Sequence, residues 1–202
     1  MEFIDKMDYI INLDNSFIAW LNQWAGDFFV LDFIVYLLVS DYLIPIIFSL
    51  TLFSLWFWNI NIETRTKKQF AVLQAIAALS LSNLTVFILS IYITRMRPFM
   101  AQDLNLLFYQ PTDPSFPSNP TATAFAIAHS INTANKKLGI CAYILSSLWG
   151  LSRLFAGINY FSDIVVGAII GILISHFLYL IFQKIPSIPF LFVRFTRFFH
   201  LG

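Results

Sequence analysis

The sequence has little charge for its length. Only 11% of its 202 residues are charged, less than half of the about 25% that is typical of a soluble domain. The deficit excludes an ordinary water-soluble domain. The net charge is only +1, so we expect no nucleic-acid partner.

Cysteine and histidine are also scarce. The single cysteine, Cys141, excludes an intrachain disulfide, and its position inside an apolar run predicts a thiol packed in the core. The three histidines are His129, His176 and His200. We expect the first two to be satisfied polar groups inside the protein, and we expect neither a metal nor another cofactor.

Hydrophobic residues are abundant, at 58% of the chain with 23 phenylalanines, and the mean hydropathy is +0.75. Uncharged stretches reach the roughly 20 residues of a spanning helix at 42–60, 70–94 and 164–183. Two shorter ones lie near 118–135 and 138–152. The pattern predicts an all-α polytopic membrane helix bundle, with 1–202 as one integral-membrane domain and 42–183 as its core.

The two ends of the chain are less apolar. Residues 1–40 predict an amphipathic or membrane-entering segment, whose acidic start lacks the basic region of a cleavable signal peptide. The part at 15–40 is either a sixth span or an amphipathic helix near 15–25 followed by a short membrane-entering segment, which we favour. The bundle then has five or six transmembrane helices. The tail at 185–202 mixes phenylalanine with arginine, which predicts a surface-lying segment.

The basic residues predict the orientation. With these spans, three groups lie on one side, which the positive-inside rule makes cytoplasmic: Arg65, Lys67 and Lys68 in a loop; Lys136 and Lys137; and Lys184, Arg194 and Arg197. Arg95, Arg97 and Arg153 lie on the opposite side. We therefore predict a site that faces away from the cytoplasm.

Three short motifs contain the polar residues of interest. The first is Arg97-Pro98, with Ser90 seven residues earlier; the second is Pro117-Ser118-Asn119-Pro120; the third is Ser152-Arg153, Asn159 and Asp163. Their order and spacing resemble the three signatures of the type-2 phosphatidic acid phosphatase family, over residues 83–171. The resemblance implies a membrane helix bundle of a family that hydrolyses lipid phosphates and whose bacterial members include enzymes that act on undecaprenyl diphosphate.

The chain departs from the family at the reacting positions. The family has a lysine at Ser90, a glycine at Asn119, and histidines at Pro120 and Asn159. The amide nitrogen of Asn159 has no free lone pair for attack on phosphorus. Pro120 has no proton to give, which removes general acid catalysis worth about 10²–10⁴-fold. His129 lies about 13 Å beyond Pro120 along the same helix, too far to replace a missing histidine. The resemblance therefore predicts a catalytically inactive relative.

The residues that remain suit a phosphate. We expect Arg97, Ser118, Asn119, Ser152 and Arg153 to bind it, beside the vestigial positions Ser90, Pro120, Asn159 and Asp163. Two arginines facing the single carboxylate of Asp163 leave an unpaired positive charge, which is costly to bury and favours an anionic ligand. In the alternative, both arginines pair with Asp163 in a structural network. Arg95 either replaces the charge of the missing lysine or, as we favour, points elsewhere on a continued helix.

Three functions stay open. The leading hypothesis is an inactive protein of the bacterial inner membrane that binds a polyprenyl or glycerolipid phosphate on the periplasmic side, or that acts as a subunit with a membrane-protein partner. The second is an active lipid phosphatase with a non-standard residue set, in which Asp163 would be the nucleophile. The third is a purely structural or assembly protein.

Overall fold

The computed structural model describes residues 2–57 and 61–198, and the regular elements in that part of the chain are all helices. They are α1 (Glu2–Asn22), α2 (Phe29–Val39), α3 (Leu43–Phe57), α4 (Ile62–Tyr92), α5 (Pro98–Ala101), α6 (Asn119–Ala134), α7 (Lys136–Phe155), α8 (Phe161–Lys184) and α9 (Ser187–Phe198). The predicted all-α bundle is confirmed.

Helix α6 occupies the centre of the bundle and packs against α4, α7 and α8. Its buried positions are mostly small, including Ala122, Ala124, Ala126 and Ala128. Small residues let helices approach closely where lipid provides no hydrophobic drive between them. With 16 residues, α6 is only about 24 Å long.

Two glycines on α8 make its closest approach to α6. A Cβ atom added to Gly171 would lie 2.1 Å from the carbonyl oxygen of Ala122, and one added to Gly167 would lie 2.6 Å from that of Ser118. The backbone nitrogen of Ser118 also donates to the carbonyl of Asp163, at 3.1 Å. The contact thus fixes the start of α6 beside the start of α8.

The helices α4, α7 and α8 are each long and apolar enough to cross a membrane. Helices α2 and α3 pass the same test only together, as a pair bent by 53°, which is typical of a broken span or of a re-entrant loop. Helix α3 covers Leu43–Phe57 of the span predicted at 42–60. Residues 58–60 lie outside the described part, so the extent of that span stays a prediction. The number of spans, five or six, stays a prediction.

Several boundaries differ from the sequence prediction. Helix α1 runs from Glu2 to Asn22 and not from 15 to 25, and α2 lies in the part that was expected to enter the membrane, which stays a prediction. Helix α4 begins at Ile62, so Arg65 and Lys67 lie on its first turns and not in a loop. This is consistent with the good helix propensity of lysine and arginine.

Two further differences bear on the site and the surface. Helix α4 ends at Tyr92, and Arg97 is extended (φ −73°, ψ 152°), as a residue before proline usually is. Cys141 is exposed on α7, so the prediction of a packed thiol is wrong. The outside of a membrane bundle is as apolar as its inside, and an apolar run does not predict burial there.

Candidate functional site

A polar cavity of about 130 Å³ lies at the end of the bundle where α6 begins and α7 ends. All three motifs reach it, through Arg97; through Ser118, Asn119 and Pro120; and through Arg153 and Asn159. The remaining wall comes from the segment 109–117 and from Asp41. The structure thus brings residues from all three motifs together around one cavity.

Three of the predicted positions do not line the cavity. The hydroxyl of Ser152 is buried and donates to the carbonyl of Trp149, at 2.7 Å, so its expected role in phosphate binding is wrong. The hydroxyl of Ser90 donates to the carbonyl of Phe87, at 2.8 Å. Asp163 is fully buried behind the cavity wall.

The start of α6 uses most of its polar groups internally. Ser118 is the N-cap residue, and its hydroxyl pairs with that of Thr121, at 2.9 Å. The side-chain nitrogen of Asn119 donates to Asn83, at 3.0 Å. Its Oδ1 atom is buried and has no partner among the described residues. A phosphate would therefore rely on the two arginines more than on these side chains.

Arg97 is buried, and each of its three guanidinium nitrogens donates one hydrogen bond. Its Nε and Nη2 atoms donate to the carbonyl and the carboxylate of Asp113, both at 2.9 Å. Its Nη1 atom donates to the carbonyl of Ile158, at 3.1 Å. Arg97 is the residue directly before the short helix α5. Its side chain contacts the loop at 109–117 through Asp113.

Arg153 is equally buried but less fully bonded. Its Nε atom donates to Oδ1 of Asn159, at 3.0 Å, and its Nη1 atom to Oδ1 of Asp41, at 3.2 Å. Its Nη2 atom makes no hydrogen bond within the described residues, and it is not among the buried unpaired atoms there. One donor of Arg153 is therefore free for a ligand.

The bend between α2 and α3 brings Asp41 to the cavity. Its Oδ2 atom accepts a hydrogen bond from the hydroxyl of Tyr109, at 2.8 Å. This hydrogen bond, together with burial and the charge of Asp41, raises the pKa of Tyr109 above its ordinary value. The backbone at Asp41 is non-helical and lines the cavity, which is a place where non-helical backbone is tolerated even inside a membrane.

The charge balance differs from the sequence prediction. Arg97 pairs with Asp113 and Arg153 pairs with Asp41, while Asp163 pairs with neither. The expected excess of two arginines over one carboxylate is therefore wrong, because two loop carboxylates supply the missing charge. These carboxylates are the exposed partners, with 67% of the side chain accessible in Asp113 and 37% in Asp41, against 5% and 4% in the arginines.

Arg95 pairs with Asp163 behind the cavity, where we had expected it to point elsewhere. Its Nη1 atom lies 2.7 Å from Oδ1 of Asp163, and its Nη2 atom lies 2.8 Å from Oδ2 of Asp14. Its guanidinium carbon stacks 3.8 Å above the ring of Tyr160. Since α4 ends at Tyr92, the chain beyond it is free to turn Arg95 inward and join α1 to α8.

The nucleophile position is closed by hydrogen bonds. Asn159 is 1% exposed, and its Nδ2 atom donates to the carbonyl of Ser115, at 2.9 Å. Oδ2 of Asp163 accepts from the hydroxyl of Ser115, at 2.5 Å, and from the backbone nitrogen of Tyr160, at 2.9 Å. Every oxygen of Asp163 is thus engaged, and none faces the cavity.

The titratable residues that line the cavity, among those the structure describes, are Asp41, Arg97, Tyr109, Asp113 and Arg153. Among the described residues that line it there is no histidine, cysteine or lysine. Within the same described ranges, no three histidine, cysteine or acidic side chains are grouped to hold a metal ion. His129 instead pairs with the hydroxyl of Tyr143, at 2.7 Å, and packs against His176. His200 lies outside the described residues.

Sequence reasoning missed Asp41, Tyr109 and the pair of Asp14 with Arg95. A signal for Asp41 was present, because it is a lone carboxylate between two apolar runs, and ionisable residues within spans usually mark a functional site or a partner. No local pattern identifies Asp14 or Tyr109. Their partners lie 81 and 68 residues away along the chain.

The comparisons with known proteins agree with this geometry. The family model described as the PAP2 superfamily matches residues 71–187, which is more than half of the chain. The chain is 31% identical over 152 residues to undecaprenyl-diphosphatase BcrC of Bacillus subtilis (strain 168), covering 73% of this chain and 75% of the relative. It is 27% identical over 173 residues to the bacitracin transport permease protein BcrC of Bacillus licheniformis, covering 85% and 80%.

Two solved structures share the fold. The crystal structure of Aquifex aeolicus LpxE has a TM-score of 0.62 and 28% identity, over 81% of this chain and 93% of that one. A PAP2-type phosphatidylglycerolphosphate phosphatase from Bacillus subtilis has a TM-score of 0.65 over 88% of each chain, and at 18% identity it supports the fold alone. Together with the family-model match and the three motifs around one cavity, these likenesses show that the chain is a membrane protein belonging to the PAP2 superfamily.

Proposed function

We propose that this protein binds the phosphate head group of a membrane lipid and does not hydrolyse it. The observation that carries the proposal is the contrast within one cavity. Arg97 and Arg153 are retained and buried there, whereas the reacting positions hold Asn159 and Pro120. The forked guanidinium of arginine matches the geometry of phosphate oxygens. The cavity therefore has side chains that can bind a phosphate but lacks the two histidines with which the family cleaves it.

The absence of hydrolysis follows from the remaining groups. Attack on phosphorus needs a nucleophile with an available lone pair, and both polar ends of Asn159 are used by Arg153 and Ser115. Asp163, the only alternative nucleophile weighed from the sequence, is fully buried and bonded. Protonation of the leaving group needs an acid, and Pro120 provides none.

The proposed ligand is a polyprenyl phosphate or diphosphate, with a glycerolipid phosphate as the second choice. The likeness to an undecaprenyl-diphosphatase supports the first choice. The basic residues at the far end of the bundle, including Lys67, Lys136 and Lys184, support a cytoplasmic position for that end. The cavity would then open to the outer face of a bacterial inner membrane.

Native mass spectrometry of the full chain in mild detergent, with added undecaprenyl phosphate, tests the proposal. We expect the wild type to retain the lipid and the variants Arg97→Ala and Arg153→Ala to lose it by about tenfold or more. Arg97→Lys and Arg153→Lys keep the charge but lose the fork, and they should bind with intermediate affinity. Arg194→Ala, at the far end, is the matched control and should bind normally.

Two outcomes would overturn the proposal. A wild type that retains no lipid phosphate but copurifies with another membrane protein would favour an assembly role. Release of inorganic phosphate that stops with Arg153→Ala would indicate an active enzyme with a non-standard residue set.

A further inference from the structure

We infer that Asp41 is a specificity-determining residue of the cavity, because its carboxylate competes with the incoming head group for Arg153. The inference rests on the proposed binding function and adds a condition to it. A ligand can bind both terminal nitrogens of Arg153 only by replacing anions that the chain itself supplies. It must therefore carry enough negative charge to neutralise the arginines that those anions leave behind.

The difference in solvent accessibility between the arginines and their carboxylate partners decides which of them can move when a ligand binds. Arg153 and Arg97 are about 95% buried, and neither can be left without a counter-charge at small cost. Asp41 and Asp113 lie at the water side of the same ion pairs. A carboxylate that is already partly hydrated loses little on leaving, so the arginines stay and the carboxylates move.

The position of Asp41 suits such a movement. It lies in the non-helical bend between α2 and α3, where no helical hydrogen-bond ladder holds it. Its withdrawal frees Nη1 of Arg153 beside Nη2, which has no partner within the described residues. Two neighbouring donors can then hold two phosphate oxygens. The hydroxyl of Tyr109, released from Asp41, becomes a further donor at the same mouth.

A charge count defines the preferred ligand class. At rest, two arginines and two carboxylates make the cavity neutral. Withdrawal of both carboxylates leaves two positive charges, which a terminal phosphate can match, since such a group carries about −1.5 to −2 near neutral pH. A phosphodiester carries one charge and can replace only one of the two carboxylates, so it gains contacts with one arginine where a terminal phosphate gains both. The cavity should therefore prefer a terminal phosphate to a phosphodiester head group.

Neutralising Asp41 should relax that preference. In Asp41→Asn the resting cavity carries one positive charge, and a singly charged diester can then bind Arg153 without displacing an anion. We expect affinity for the diester to rise about tenfold and affinity for the terminal phosphate to change less. The matched control is Asp32→Asn, because Asp32 lies on α2 and does not line the cavity.

The experiment titrates the full chain in detergent with phosphatidic acid and with phosphatidylglycerol of the same acyl chains, and native mass spectrometry counts the bound lipid. We expect the wild type and Asp32→Asn to prefer phosphatidic acid by about tenfold and Asp41→Asn to bind both within about threefold. Equal binding by the wild type, or an unchanged preference in Asp41→Asn, would overturn the role of Asp41 and leave the proposed function standing. Binding of neither lipid by any of the three proteins would overturn the inference, and the proposed function falls with it when undecaprenyl phosphate is not bound either.

Discussion

Nη1 of Arg95 lies 2.7 Å from Oδ1 of Asp163, in a site that is closed to solvent on the carboxylate side. In the family that this chain resembles, an aspartate at this position orients the nucleophilic histidine. Here it is the buried counter-charge of an arginine that also binds Asp14. Asp163 is thus part of a network that links α1, the chain after α4, and α8.

Loss of Arg95 should therefore destabilise the fold more than loss of an exposed arginine. Arg95→Met leaves the buried carboxylates of Asp14 and Asp163 unpaired, which typically costs about 3–5 kcal/mol. We expect a clearly lower unfolding temperature in detergent, whereas Arg194→Ala should change it little. In the combined variant Asp14→Asn with Arg95→Met, the loss should be smaller than the sum of the two single losses. Additive losses would contradict the network.

The glycine contact between α6 and α8 gives a second stability prediction. Gly171→Ala forces a Cβ atom to within 2.1 Å of a backbone oxygen, and overpacking of this kind usually costs about 1–3 kcal/mol, occasionally more. We expect a lower unfolding temperature and weaker lipid binding, because the start of α6 moves with the contact. Ile169→Ala, at a half-exposed position of the same helix, is the control. Unchanged stability of Gly171→Ala would contradict the observed packing.

Tyr109 should titrate above its ordinary pKa of about 10, since its hydroxyl donates to Asp41 and the phenolate would face that carboxylate. Because the pKa is raised in the folded state, the hydrogen bond of Tyr109 contributes fully to stability below the ordinary pKa. That contribution is lost as the pH rises through the folded-state pKa. The difference in absorbance between the wild type and Tyr109→Phe during alkaline titration isolates this residue. Asp41→Asn should lower the midpoint. A midpoint at or below the ordinary value in the wild type would contradict the hydrogen bond.

Restoring the family residues should restore turnover only when the nucleophile and the acid return together. Asn159→His alone should release no phosphate, because Pro120 still supplies no proton. The combination of Ser90→Lys, Asn119→Gly, Pro120→His and Asn159→His should release it slowly, since Asp163 remains engaged by Arg95. The readout is inorganic phosphate from phosphatidic acid. A combined variant that folds and binds lipid but releases no phosphate would contradict the view that these four residues alone account for the lack of hydrolysis.

The walls of the cavity were predictable from the sequence, and its charge balance was not. Motif spacing places Arg97, Ser118 and Arg153 together because the family resemblance fixes which helix ends meet. The partner of Arg153 is Asp41, 112 residues earlier, and only the bend between α2 and α3 brings it there. The same reasoning explains Cys141: hydropathy identifies a membrane helix but does not tell which of its faces contacts lipid.

One experiment tests binding without turnover most directly. Phosphorus-31 nuclear magnetic resonance of undecaprenyl diphosphate in the same detergent reports the bound head group and any inorganic phosphate in a single spectrum. With the wild-type protein we expect the diphosphate resonances to broaden or shift, an effect that Arg153→Ala abolishes, and no inorganic phosphate to accumulate. Growth of an inorganic phosphate signal with the wild type, absent with Arg153→Ala, would contradict the central claim.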